Sequence, residues 1–179
     1  MTRAARGLLK IDVHVDSELW KAAGDMKPIV RRAIAQAAAT LATDGAELAV
    51  VLTDDAAIRS LNRRWRGVDA ATNVLSFPTK NAGGKPPLIG DIVLAQETVA
   101  REAKAEHKPL AHHVAHLVVH GFLHLVGYDH ERDEDAERME AAERDILRRM
   151  AIADPYRRPA AAAAKAGGGA ERRTRRLQR

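Results

Sequence analysis

The sequence predicts an α+β fold: a single domain in which a mixed β-sheet of about four strands is packed with helices, a central helix carrying a His-x-x-x-His pair. Segments with two-residue and with helical hydrophobic spacing alternate along the chain with short connections, which favours one mixed sheet with helices laid on it. At 179 residues the chain is long enough for one domain with a proper core and short for two. Six of its eight histidines crowd into residues 112–130, on a segment with many apolar residues to bury.

Each element has its own signal. Residues 8–16 alternate apolar and polar side chains (Leu9, Ile11, Val13, Val15), the mark of a half-buried strand. Residues 27–43 place Ile29, Val30, Ala33, Ile34, Ala37, Ala38 and Leu41 at helical spacing, and Asp44-Gly45 ends the run. Residues 46–53 are almost continuously apolar, as in a strand covered on both faces. Asp54 or Asp55 can cap a helix over roughly 55–65 with Ile58 and Leu61 inward. Residues 72–78 read as a strand or an extended segment, 81–87 as a Gly/Pro-rich loop, and 88–94 as another strand. Helices are expected over 95–107, stopping before Pro109, over 110–126 with the histidines, and over 133–153 with Met139, Ile146, Leu147 and Met150 inward.

Composition narrows the functional classes. No apolar run approaches the eighteen or so residues that a membrane helix needs, so no membrane partner is expected. The absence of cysteine excludes disulfides and thiolate ligands and fits a reducing cytoplasm. The net charge of +5 is unevenly placed. Residues 157–179 carry +7 on an Ala/Gly/Arg-rich composition expected to be a disordered tail, which leaves residues 1–156, the expected folded domain, at −2. Nucleic-acid binding by the domain must therefore rest on local charge.

His120 and His124, four residues apart on a helix, lie about 40° apart around its axis and about 6 Å apart along it. Two imidazoles so placed can grip one metal ion. Gly127 lets the chain leave the helix, and His130 follows three residues later, where the chain can fold back with a third nitrogen. Three protein ligands leave a position for water or substrate, as in catalytic zinc sites. His112, His113 and His116 extend the ladder but are expected to be supporting, core or surface residues, since a third turn cannot converge on the same ion. Neutral imidazoles suit zinc, nickel, copper or iron. Position 121, where helical zinc proteases of the His-Glu-x-x-His type carry their general base, is glycine, so the protease base is missing there. Close helix packing is an equal explanation for that glycine.

The densest basic stretch holds Arg59, Arg63, Arg64 and Arg66, with no acid among residues 56–68. Guanidinium groups grip phosphate bidentately and stay charged. Trp65 among them can stack a base, though the favoured expectation folds it into the core. Residues 131–145 carry eight acids and three bases, expected mostly on the wet face of an amphipathic helix. Asp129 can orient a ligand imidazole or serve the turn.

The run from His116 to His130, HLVVHGFLHLVGYDH, closely resembles the signature of the YbeY family, bacterial endoribonucleases and rRNA maturation factors. Residues 61–69 (LNRRWRGVD) with 72–78 (TNVLSFP), and 90–93 (GDIV), resemble its other motifs in the same order, and the resemblance covers roughly residues 8–156. Trp65 stands where many members have Tyr. The resemblance implies one zinc ion per chain on His120, His124 and His130, and a single-strand-specific endoribonuclease active on rRNA. It implies a role in 16S rRNA 3′-end maturation and ribosome quality control with the small ribosomal subunit as partner. Arg66 matches the arginine associated with activity and is expected to neutralise the scissile phosphate. A metalloprotease and a non-catalytic assembly factor with a structural metal remain the alternatives.

Overall fold

The computed structural model describes residues 9–43, 45–79 and 87–157. Within them the elements run β1 (Leu9–Val15), α1 (Glu18–Ala23), α2 (Lys27–Thr40), β2 (Ala46–Thr53), α3 (Asp55–Arg66), β3 (Val74–Pro78), β4 (Leu88–Ala95), α4 (Gln96–Ala105), α5 (Leu110–Leu125) and α6 (Asp133–Arg149). The strands form one mixed sheet in the order β1-β2-β4-β3. β1, β2 and β4 are parallel, and β3 is antiparallel to β4 at the edge. Pro78, which has no N–H to give a ladder, ends the edge strand, where its cost is least.

The expected α+β architecture is therefore present. α1 was not expected: at six residues it is too short to show a period, yet it buries Trp20, whose indole N–H donates to the Thr53 carbonyl at 2.7 Å. The last helix stops at Arg149, four residues before the expected 153, and Ile152 then packs back into the core. The expected 81–87 loop lies outside the described residues except for Pro87. The 157–179 tail lies outside them except for Arg157.

Alternation along the strands divides the core. Val13, Leu48, Val50, Leu52, Ile92, Leu94 and Val74 join α2, α5 and α6 in the main cluster. Leu75, Val93 and Ala95 point the other way and meet Ile58 and Leu61 of α3 in a much smaller one. α5 is buried around its whole circumference from His113 to Leu123, as a helix enclosed by other elements must be. Gly121 is its point of closest approach to the sheet. A Cβ there would stand 2.9 Å from Ile92 Cγ2 and 3.0 Å from Ser76 Oγ.

The segment between α3 and β3 is held by polar contacts. Arg59 clasps Asp69 through two bonds of 2.8 and 2.9 Å, and Asn62 donates to the Ala70 carbonyl at 2.8 Å. Buried Asn73 accepts from the Val74 N–H at 2.7 Å and donates to Glu102, which also meets His113 at 2.9 Å. These bonds tie the start of β3 to α4 and α5 and so fix one wall of the cleft described next.

Candidate metal centre

The C-terminal end of α5 builds the site. Gly127, at φ 93°, is the left-handed residue that stops the helix. Its N–H bonds the His124 carbonyl at 3.1 Å and the Tyr128 N–H bonds the Leu123 carbonyl at 2.9 Å, the paired bonds of a Schellman turn. The chain reverses there. Asp129 accepts the backbone N–H of His130 at 2.7 Å, so its side chain serves the turn. His130 is thereby carried back beside the helix, its ring stacked on His120 at 5.5 Å and edge-on to His124 at 4.9 Å.

Among the described residues, His120, His124 and His130 form the one group of three or more side chains with donor atoms close enough to share a metal ion, all within 4.8 Å of one another. His116 is not in it. It is buried one turn back and faces a carboxylate instead.

The other ring nitrogens show that the cluster suits a metal. His120 Nδ1 lies 2.7 Å from Glu143 Oε1, and His124 Nδ1 lies 3.0 Å from the Tyr128 carbonyl. An anionic carboxylate and a carbonyl only accept, so both Nδ1 atoms carry the proton. In neutral rings both Nε2 atoms are then bare, and they face each other at 3.1 Å. Two lone pairs turned toward one point have no hydrogen to share, and a cation between them resolves the conflict. Burial first, then the neighbouring His120 and His130, pushes the His124 imidazole down to about 4, so it is neutral at pH 7. The residues therefore fit a metal ion.

Glu143 was not anticipated. It sits in the acidic stretch expected to face water, yet it is completely buried. It accepts from His120, from His116 at 3.0 Å and from the Tyr156 hydroxyl through a short contact. Burial alone would raise its carboxyl, but the bonds from His116 and His120 outweigh that and hold it well below the ordinary range. Burial and the adjoining carboxylate push the Tyr156 hydroxyl upward, so it remains a donor. The signal was in the sequence: Glu143 falls on the same stripe as Met139, Ile146, Leu147 and Met150, and an acid on a buried stripe needs partners.

The histidines line a cleft of about 390 Å³ whose far wall is Val74, Ser76 and Pro78 of β3. Arg66, from the end of α3, reaches around the sheet edge into the same cleft and donates to the Ser76 carbonyl at 3.3 Å. Arg63 and Arg64 stay outside it, exposed. Trp65 departs from the favoured expectation. It is 63% exposed, touching the edge strand only through the edge of Phe77.

A family model described as endoribonuclease YbeY matches residues 14–151. Endoribonuclease YbeY of Nitrobacter hamburgensis is 52% identical over 153 residues, covering 81% of this chain and 80% of that protein. The protein of the same name from Methylocella silvestris is 49% identical over 156 residues, covering 85% and 88%. The solution structure of TM1509 from Thermotoga maritima aligns with a TM-score of 0.48 at 23% identity, over 83% of this chain and 99% of that one.

Proposed function

The chain belongs to the YbeY endoribonuclease family, and we propose that it is a zinc-dependent endoribonuclease specific for single strands. Its proposed place is the cytoplasm, acting on rRNA of the small ribosomal subunit in 16S 3′-end maturation and ribosome quality control. The carrying observation is the juxtaposition in one cleft of two bare imidazole nitrogens with their outer nitrogens tied down, a third imidazole, and a guanidinium. His120 and His124 would hold the metal through Nε2, with His130 as third ligand. A zinc ion there supplies Lewis acidity, which activates water and polarises a phosphoryl oxygen at neutral pH.

The protein's own groups do the rest. Glu143 and the Tyr128 carbonyl keep the ligand protons on Nδ1. Arg66 has no carboxylate partner among the described residues, so its fork is available to a phosphate, and it neutralises charge that builds on the scissile group. Its weak 3.3 Å bond to a carbonyl is easily exchanged for an anionic oxygen. Residues 1–156 are the proposed catalytic domain. The +7 of residues 157–179 is proposed to add salt-sensitive RNA affinity.

Gly121 weighs against the protease alternative on packing grounds. Its Cα faces Ile92 and Ser76, where a glutamate side chain has no room. The test is metal analysis of purified protein with cleavage of a labelled single-stranded RNA. About one metal per chain is expected, with cleavage lost in chelator and restored by zinc. Metal-loaded protein that leaves the RNA intact would refute the reading.

A further inference from the structure

Trp65 is no part of the small cluster under α3, which Ile58, Leu75, Val93 and Ala95 form with Leu61 and Phe77 packed against them. The protein's other tryptophan, Trp20, is 1% exposed, whereas Trp65 leaves 63% of its surface in water. Val68, just beyond the helix end, is also 46% exposed. Single exposed apolar residues are ordinary, so the reading rests on what surrounds the ring.

Its neighbours say what it contacts. The ring meets Phe77 edge-on, with centroids 6.2 Å apart and planes at 65°. Phe77 points to the opposite face of β3 from Ser76 and Pro78, which line the cleft, and Arg66, the next residue after Trp65, enters that cleft. The ring and the cleft therefore lie on the two sides of the edge strand, and Arg66 joins them. The Arg64 guanidinium stands over the ring at 5.4 Å. Arg59 is neutralised by Asp69, but Arg64 and Arg66 have no carboxylate partner among the described residues. An exposed indole flanked by guanidinium groups that no described carboxylate neutralises is the combination that holds single-stranded nucleic acid: the ring takes a base face and the cations take the backbone.

We propose that Trp65 is a stacking platform for one unpaired nucleobase of the RNA strand, beside the phosphate met by Arg66. The proposal rests on the ribonuclease reading and deepens it. It also gives a physical basis for single-strand preference. A base in a duplex has both faces covered by its neighbours, so it cannot stack on the indole without leaving the helix.

The test uses the full-length chain, its Trp65→Ala and Trp65→Tyr variants, and a short single-stranded RNA. Because Trp20 is buried, quenching of intrinsic fluorescence on binding reports on Trp65. Single-stranded RNA should quench the wild type, and duplex RNA and polyglutamate should not. Trp65→Ala should weaken RNA binding by about 5- to 150-fold, the range of single stacking contacts, with Trp65→Tyr close to wild type. Removing one base from the RNA should weaken binding to the wild type at one position and change nothing for Trp65→Ala. Equal RNA affinity of wild type and Trp65→Ala would overturn the proposal, as would an equal cost of base removal in both, or quenching by polyglutamate as strong as by RNA. The two readings fail separately. Protein that binds RNA with Trp65 quenched but does not cut it keeps the platform and loses the nuclease. Protein that cuts RNA, with Trp65→Ala unchanged in affinity and KM, loses the platform alone.

Discussion

Replacing Glu143 by glutamine changes one atom in the core and should be felt at the metal. The carboxylate accepts from three donors: His120 at 2.7 Å, His116 at 3.0 Å and the Tyr156 hydroxyl. Glutamine keeps one acceptor oxygen and brings an NH₂ group, so at least one of the three donors must face another donor. If the amide nitrogen faces His120, the ring escapes the conflict only by moving its proton from Nδ1 to Nε2, the nitrogen turned toward His124. If the oxygen stays on His120, a bond worth about 1.5–3 kcal/mol becomes a neutral one worth about 0.5–1.5, a loss of roughly 1–1.5 kcal/mol. Partners of metal-bound histidines typically contribute about 10- to 100-fold in affinity, or roughly 1.4–2.7 kcal/mol, so a loss near the lower end of that range is expected. The metal-free fold should suffer less, because glutamine also removes a buried charge whose desolvation opposes folding. Competition against a chromogenic chelator at pH 7 measures the first effect, and thermal unfolding in chelator the second. Glu140→Gln is the control: its 2.7 Å partner is Arg144 on the same helix. A Glu143→Gln protein that binds zinc within twofold of wild type would refute the claim that this carboxylate sets the tautomer.

Three further outcomes are expected. Arg66→Ala should lower RNA cleavage by about 10²–10³, the usual loss for one positioned donor, with metal content and unfolding midpoint unchanged; Arg66→Lys should recover only part of it, and wild-type cleavage by Arg66→Ala would make the residue a bystander. Gly121→Ala should destabilise the fold by about 1–3 kcal/mol in urea titrations, because the new methyl meets the β-branched Ile92 at 2.9 Å; an unshifted midpoint would show that helix and sheet separate freely there. The metal-free protein should lose stability as pH falls from 6.5 to about 4, because the unfolded chain protonates His124 in that window while the folded chain keeps it neutral. His124→Asn should flatten that part of the curve of midpoint against pH, and equal slopes in both proteins would count against it.

The histidine cluster was legible because its geometry is local. Four-residue spacing fixes the relation of His120 to His124, and a glycine three residues before His130 permits the reversal; both are properties of a short stretch of backbone. Helix and strand types followed from periodicity in the same way, and α1 escaped because six residues hold less than two turns. Glu143 was expected in water because its neighbours in sequence are acids, and Trp65 was expected in the core although its neighbours are arginines; the environment of each is set by elements far along the chain.

The sequence by itself determined every element but α1, the two facing imidazoles and the absence of a protease base after His120, since each depends on residues within one or two helical turns. Only the tertiary structure decided that His120 is oriented by a carboxylate 23 residues away. It alone showed Tyr156 closing over that carboxylate, and Arg66 entering the cleft around an edge strand while Trp65 stays outside. Those outcomes depend on which strand lies at the sheet edge and on how α6 crosses α5. Strand order and helix crossing are settled by burial summed over the whole core, which no local window of sequence contains.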